Sequence, residues 1–411
     1  MSLIEWLFWL SASLVAYGTI GYPALIWLLG RIAPKPVRKR EIFPTVTCII
    51  AARNEERTIG AKLENLLAQD YPSDRLDIII VSDGSTDNTA GLVEEYCIWK
   101  GKSPPPYASR PIEPGKGWGE PSNQRSQEVP SRVRLLTVPT HHGKAYALNM
   151  GVAAATGEVI LFADARQRFA PDAVRALVAN FADPEVGAVS GELLFEATDH
   201  AQIGKGLGFY WQYEKFLRKA ESLSGSTVVC TGAIYAIRYS CFRPLPEGAL
   251  VDDLLTPMRI LLNGYRVVFE AGACAFDSLS PSNSHEFRRK VRTLAGNIQI
   301  LHVELALLNP LRREPIWRYW SHMLLPRVLM PYCLMLLLLS NVTLAGPIFS
   351  SVLVLQLVMY GIGSIGLCLA SRGGLLFRAA STFVLLNAAS VVAAVQYALR
   401  PSHEMWRRQP S

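Results

Sequence analysis

Apolar positions along this chain follow two rhythms. Near both ends they run on without a charge, from Trp6 to Gly30, from Val328 to Ser371 and from Ala379 to Leu399. A helix needs about 20 apolar residues to cross a bilayer, so the second run is long enough for two crossings. It breaks at Ser340, Asn341, Gly346 and Pro347, residues that favour a short connection. The pattern predicts one transmembrane helix at the front and three at the back. Between them, from Pro44 to about His285, β-branched runs alternate with helical periodicity. TVTCIIAA, LDIIIVSD, VRLLTV and VILFADA read as strands, and TIGAKLENLLAQ, NTAGLVEEYCIW and KAYALNMGVAAA as the helices that separate them. Strands apolar on both faces and spaced by helices predict an α/β domain with a mostly parallel sheet.

The expected organisation is a first span with a basic linker over 1–43, the α/β domain over 44–284, interfacial helices over 285–318, membrane helices over 319–400 and a tail over 401–411. Residues 101–131, rich in Pro, Gly and Ser, read as a mobile surface insertion. Glu5 precedes the first apolar run and RIAPKPVRKR follows it, a pattern that fits an uncleaved anchor rather than a signal peptide. That basic segment and LRREPIWR, before the second span, belong on the cytoplasmic side of a cell membrane. The middle domain is therefore expected in the cytoplasm. The basic tail MWRRQPS then falls outside, against the same rule. The net charge of +7 collects at these flanks, where anionic lipid accounts for it, and no nucleic-acid partner is expected. The seven cysteines form no CxxC pair and read as packed thiols rather than metal ligands.

In a parallel α/β sheet, ligands bind beyond the carboxyl ends of the strands. The first strand end delivers Arg53, Asn54, Glu55 and Glu56. The second delivers Asp83 within DGSTDNT, the third leads to HHGK with Lys144, and the fourth gives Asp164 and Arg166. DGSTDNT also reads as a turn with Thr86 or Asp87 capping a helix. The Asp164–Arg166 pair also reads as a plain strand-end ion pair. His141 and His142 lack metal-ligand spacing and read as loop.

AARNEERTIGAKLENLLAQDYP, IIVSDGSTDNT, GKAYALNMG and the strand ending in Asp164 together resemble the family-2 glycosyltransferases with a GT-A fold. The resemblance covers nearly the entire middle domain. It implies that Arg53, Glu55 and Asp83 hold the nucleoside of a nucleotide-sugar donor and that Lys144 lies near its diphosphate. The family's DxD stands here as Asp164-Ala165-Arg166. Asp164 is then the surviving ligand for Mg²⁺ or Mn²⁺, hard cations suited to oxygen donors, while Arg166 pairs with a phosphate or a nearby acid. In LVDDLLTP, Asp253 matches the general base of an inverting transfer and Asp252 a supporting acid; Asp252 also reads as a helix cap. HEFRRKVRT resembles the segment that closes over the diphosphate. Arg289 and Arg292 are its matching cations, although its glutamine and tryptophan are absent here. That segment also reads as a helix held to anionic lipid. Trp211, on a helix resembling the acceptor side, reads either as a sugar platform or as core.

The sequence thus predicts a membrane-integral, inverting hexosyl- or N-acetylhexosaminyltransferase that uses a nucleotide sugar, UDP-linked by resemblance. The expected acceptor is a polysaccharide of the cell envelope or exterior, with a membrane lipid as the alternative. A non-catalytic membrane protein with a degenerate nucleotide-sugar domain is the rival from another class.

Overall fold

The computed structural model describes residues 1–98, 132–196, 204–278, 283–309, 311, 313–369 and 374–399. The expected insertion 101–131 and the tail 401–411 lie outside the described residues. Strands β1 (Val46–Ala52), β2 (Leu76–Asp83), β3 (Val133–Val138) and β4 (Val159–Ala163) form the parallel half of one sheet. Residues alternate between the two faces of β1. Ile49 joins a core with Val81, Ile160 and Phe162, whereas Cys48 and Ile50 join another with Ile78, Ile80 and Leu161. Burial on both faces explains why these strands are apolar throughout.

Beyond β4 the sheet changes character. Strands β5 (Arg168–Phe169), β6 (Val186–Glu196), β7 (Ile234–Arg238) and β8 (Arg266–Ser278) complete the order β3-β2-β1-β4-β7-β6-β8-β5. β7 runs antiparallel to both β4 and β6, β5 runs antiparallel to β8, and β6 pairs parallel with β8 across two register shifts. The result is a curled mixed sheet. Such breaks in the ladder bend and twist the strands that carry them.

Among the described residues, four helices are long and apolar enough to cross a membrane: Leu3–Ile32, Glu314–Thr343, Pro347–Leu367 and Leu376–Leu399. The first two contain π-helical stretches, Tyr17–Gly21 and Trp320–Leu329, which meet through a 2.7 Å hydrogen bond between the Tyr17 and Ser321 hydroxyls. The expected break near Gly346 falls between the ends at Thr343 and Pro347. The second of these helices begins at Glu314, well ahead of the charge-free run, because its early cations are paired inside the protein. Buried Arg318 donates from Nη1 to the Glu221 and Ser226 carbonyls at 3.0 and 2.9 Å, and from Nη2 to the Ser224 carbonyl at 3.1 Å. One face of the sheet continues into this helix, since Ile316, Tyr319, Met323 and Leu324 belong to the same core as Ile49 and Phe162.

Arg318→Ala strands those carbonyls in a buried site. The expected cost is about 2–4 kcal/mol, seen as a lowered melting temperature of the detergent-purified protein. An unchanged melting temperature would contradict the anchoring role.

Candidate active site

Two loops at the carboxyl edge are stapled together. Asn54 follows β1 with φ at +54°, and its side-chain oxygen accepts from the Thr86 amide at 2.8 Å. The Glu55 amide donates to the Thr89 hydroxyl at 2.8 Å and the Glu56 amide to Asp87 at 3.1 Å. Asp87 also accepts from the Thr89 amide at 3.0 Å, so the turn-and-cap reading holds for Asp87. Arg53 is left exposed at the rim. Glu55 accepts from the Thr58 hydroxyl at 2.8 Å. Burial pushes its carboxyl above the usual range, against Thr58 and Arg166.

Asp83, at the end of β2, is buried and fully occupied by the chain itself. It accepts from the His142 and Gly143 amides at 2.8 and 2.7 Å and lies 2.7 Å from His141 Nδ1. Gly84 permits this closure: its φ is +64°, and a Cβ there would sit 2.5 Å from the His141 nitrogen. His141 and His142, which sequence reasoning assigned to an indifferent loop, therefore fix the entrance of the helix α5 (Lys144–Ala153).

Lys144, the first residue of α5, is the hub. Its ammonium lies 3.0 Å from Asp164 Oδ1 and 3.3 Å from Asp252 Oδ1. Burial opposes its charge, but Asp164, Asp252 and Asp253 outweigh that and hold it far above its ordinary value. Burial likewise opposes ionisation of Asp164. Lys144, Arg166 and Lys62 outweigh it and keep that carboxyl below the usual range. Asp252 is buried and accepts from the Tyr235 hydroxyl at 3.1 Å; it is thus more than a helix cap.

Asp252 and Asp253 open the helix α8 (Asp252–Leu262). The Asp253 carboxylate accepts no hydrogen bond among the described residues, while its backbone carbonyl accepts from the Cys230 amide at 2.9 Å. A side chain at Gly232 would begin 3.0 Å from the carboxylate, so glycine keeps that approach open. Burial, and then the Asp252 charge, push the Asp253 carboxyl up to about 6, against Lys144 and Arg218. An acid in this range is suited to accepting a proton near neutrality.

The Asp164–Arg166 segment is braced from behind by the helix α3 (Ile59–Leu67). Fully buried Lys62 donates to the Gln167 carbonyl at 2.7 Å, Asn65 exchanges hydrogen bonds of 2.9 and 2.7 Å with the Phe169 backbone, and the Gln167 side chain donates to Asp277 at 2.7 Å. Burial pulls the Lys62 ammonium down to about 7, against Cys48 and Asp164. Sequence reasoning missed this brace. The available signal was polar Lys62, Asn65 and Gln69 recurring at helical spacing on the same face as Ile59 and Leu66.

The helix α9 (Asn283–Val303) brings Arg292 to the same centre. Burial lowers the Arg292 pKa, while Asp164, Asp253 and Asp252 pull the other way. Arg289 lies one turn earlier. Trp211, on the helix α7 (Gly204–Leu223), packs against Phe195 with ring centroids 5.3 Å apart, and the Lys290 ammonium lies 5.5 Å from its ring. Its surroundings are protein on at least two sides. Towards the membrane helices lies a cavity of about 350 Å³, whose lining includes Gly18, Glu214, Lys290, Arg327, Met330 and Phe383. Glu214 pairs with Arg327 at 2.6 Å and with His322 at 3.3 Å.

Among the described residues, no three His, Cys, Asp or Glu side chains group as metal ligands. One oxygen of Asp164 already faces the Lys144 ammonium, and Arg166 stands where a second acid would be needed. These residues build no protein-only cage for a divalent cation; a cation shared with donor phosphates would have Asp164, beside Lys144, as its carboxylate in this motif.

Residues 159–388 match the family described as glycosyl transferase family group 2, and residues 47–118 match glycosyl transferase family 2. A probable glycosyltransferase of Bacillus subtilis, YdaM, is 26% identical over 297 residues, covering 70% of this chain and 63% of that protein. The poly-β-1,6-N-acetyl-D-glucosamine synthase of Staphylococcus aureus is 24% identical over 277 residues, covering 66% of this chain and 59% of the synthase. The chain thus spans about three-fifths of these relatives' lengths. A mannosyltransferase from Pyrobaculum calidifontis, solved with GDP-Man and Mn²⁺, superposes with a TM-score of 0.67 at 23% identity, over 98% of this chain and 100% of that one.

Because Asp253 titrates higher folded than unfolded, its ionised form costs stability above about pH 6, and the cost vanishes below about pH 4. Asp253→Asn is expected to be more stable than the parent at pH 8 by about 1–3 kcal/mol, with the difference gone near pH 4. A lower melting temperature for the variant at pH 8 would contradict this.

Proposed function

The chain belongs to the family-2 glycosyltransferases, and from that premise we propose that it transfers a sugar from a UDP-sugar donor with inversion at the anomeric carbon. The observation that carries the reading is the Asp253 carboxylate, free of hydrogen bonds among the described residues and raised to about 6 beside the Lys144 centre. An acceptor hydroxyl attacks the anomeric carbon. The bond from that carbon to the diphosphate oxygen breaks, its electron pair leaves with UDP, and Asp253 takes the hydroxyl proton. Lys144, Arg289 and Arg292 offset the charge that develops on the departing diphosphate. Arg53, Glu55 and the loop fixed by Asp83 line the nucleoside side. The staphylococcal relative, by its name, supports an N-acetylglucosamine donor and a glycan acceptor. The basic membrane flanks support a catalytic domain on the cytoplasmic face.

A second reading of the acceptor, a membrane lipid, is favoured by the apolar lining of the cavity between α7, α9 and the membrane helices. Lys290 lines that cavity and lies 5.5 Å from the Trp211 ring. A degenerate, non-catalytic domain is disfavoured, because strongly shifted acids beside a charged centre cluster at functional sites.

The test is UDP release by the purified full chain over a panel of UDP-sugars, with oligosaccharide and prenyl-phosphate acceptors. One donor is expected to support release. Asp253→Asn should lower turnover about 10²–10⁴-fold while UDP binding is kept. Turnover should fall about tenfold per pH unit below pH 6, as Asp253 is protonated. A variant that retains turnover would contradict the base assignment.

A further inference from the structure

The charges around Asp164 bear on how this protein neutralises a diphosphate. Asp164 is committed to Lys144 at 3.0 Å, and Lys144 is shared with Asp252 at 3.3 Å. Two residues on, Arg166 is exposed and forms no hydrogen bond or ion pair with a described residue. Its backbone is nonetheless firmly placed. Lys62 holds the Gln167 carbonyl at 2.7 Å, Asp277 holds the Gln167 side chain at 2.7 Å, and Asn65 holds both polar groups of the Phe169 backbone. The loop thus presents an open guanidinium fork, suited to bidentate phosphate contacts, from a fixed support.

The Lys144 contact points the same way: a dication on Asp164 would meet an ammonium already held by the same carboxylate.

We propose that Arg166, supported by Lys144, binds the donor diphosphate in place of a divalent cation, so that donor binding and transfer need no divalent metal. This rests on the reading of the donor as a nucleoside diphosphate sugar.

The experiment is calorimetric titration of the full-length, detergent-purified protein with UDP, in EDTA and in Mn²⁺, with Mn²⁺ paramagnetic resonance on the same samples. The parent is expected to bind UDP within about threefold equally in both and to add no protein-bound Mn²⁺ signal in the presence of UDP. Arg166→Ala should weaken UDP binding about tenfold or more in EDTA. Arg166→Asp should bind UDP only with Mn²⁺ and show the bound-ion signal. Because Arg166 is exposed, both variants should keep the parent's melting temperature. UDP binding by the parent that is lost in EDTA, or an Arg166→Ala variant that binds like the parent, would overturn the proposal while leaving the donor reading intact. No UDP binding by the parent in either condition would overturn the donor reading itself, and this proposal with it.

Discussion

The Lys144 ammonium, held between Asp164 and Asp252, is the contact on which the site depends. It joins three pieces of chain that are far apart in sequence: the start of α5, the end of β4 and the start of α8. Without it, Asp164 and Asp252 would lose the ammonium they share, and buried charges persist only when paired. The arrangement is relayed from β2. Asp83 gathers the amides of His142 and Gly143, which sets the first turn of α5 and so the reach of Lys144. Asp253 is left over. Its neighbour meets the Lys144 ammonium, and its own carboxylate accepts no hydrogen bond among the described residues.

Half of this was legible in the sequence, for a physical reason. Strands buried on both faces and spaced by helices announce themselves, and each of the first four ends in polar residues at the sheet's ligand edge. Lys144, Asp164 and Asp252 meet in the fold, and Glu55 and Asp253 lie within reach of their charges. The second half of the sheet was hidden. β6 and β8 are long, shift register at Val186/Ala188 and Ser190/Glu192, and pair across more than seventy residues of chain, so no local period marks them. Lys62 was hidden differently, since a lysine in a helix is ordinarily solvated, and only its spacing with Asn65 and Gln69 marks a buried polar face. The His141–Asp83 contact is likewise long-range, and nothing local in HHGK points to it.

The membrane helices are not an independent bundle beside this domain. Arg318, His322 and Arg327 look like a helix boundary when charges are counted along the chain. In the fold they face Glu214, Glu221 and the carbonyls beyond α7. Their partners lie about a hundred residues away, which is why charge counting starts the helix too late. The two π-helical stretches sit against each other at this junction and line the cavity beside α7. Such stretches recur at functional sites. The α7 side of the domain is thereby built onto the apolar helices, and α9 contributes Lys290 to the cavity and Arg292 to the charged centre.

We propose that one charged centre at the carboxyl edge of the sheet, built on Lys144, Asp164 and Asp252, receives the donor's nucleoside diphosphate. An electron cryomicroscopy structure of the full chain with UDP tests it most directly. The diphosphate is expected within hydrogen-bonding distance of Arg166 and Lys144, the nucleoside beside Arg53 and Glu55, and the Asp253 carboxylate facing open space beyond the terminal phosphate. UDP bound away from this edge, or a diphosphate remote from both Lys144 and Arg166, would contradict it.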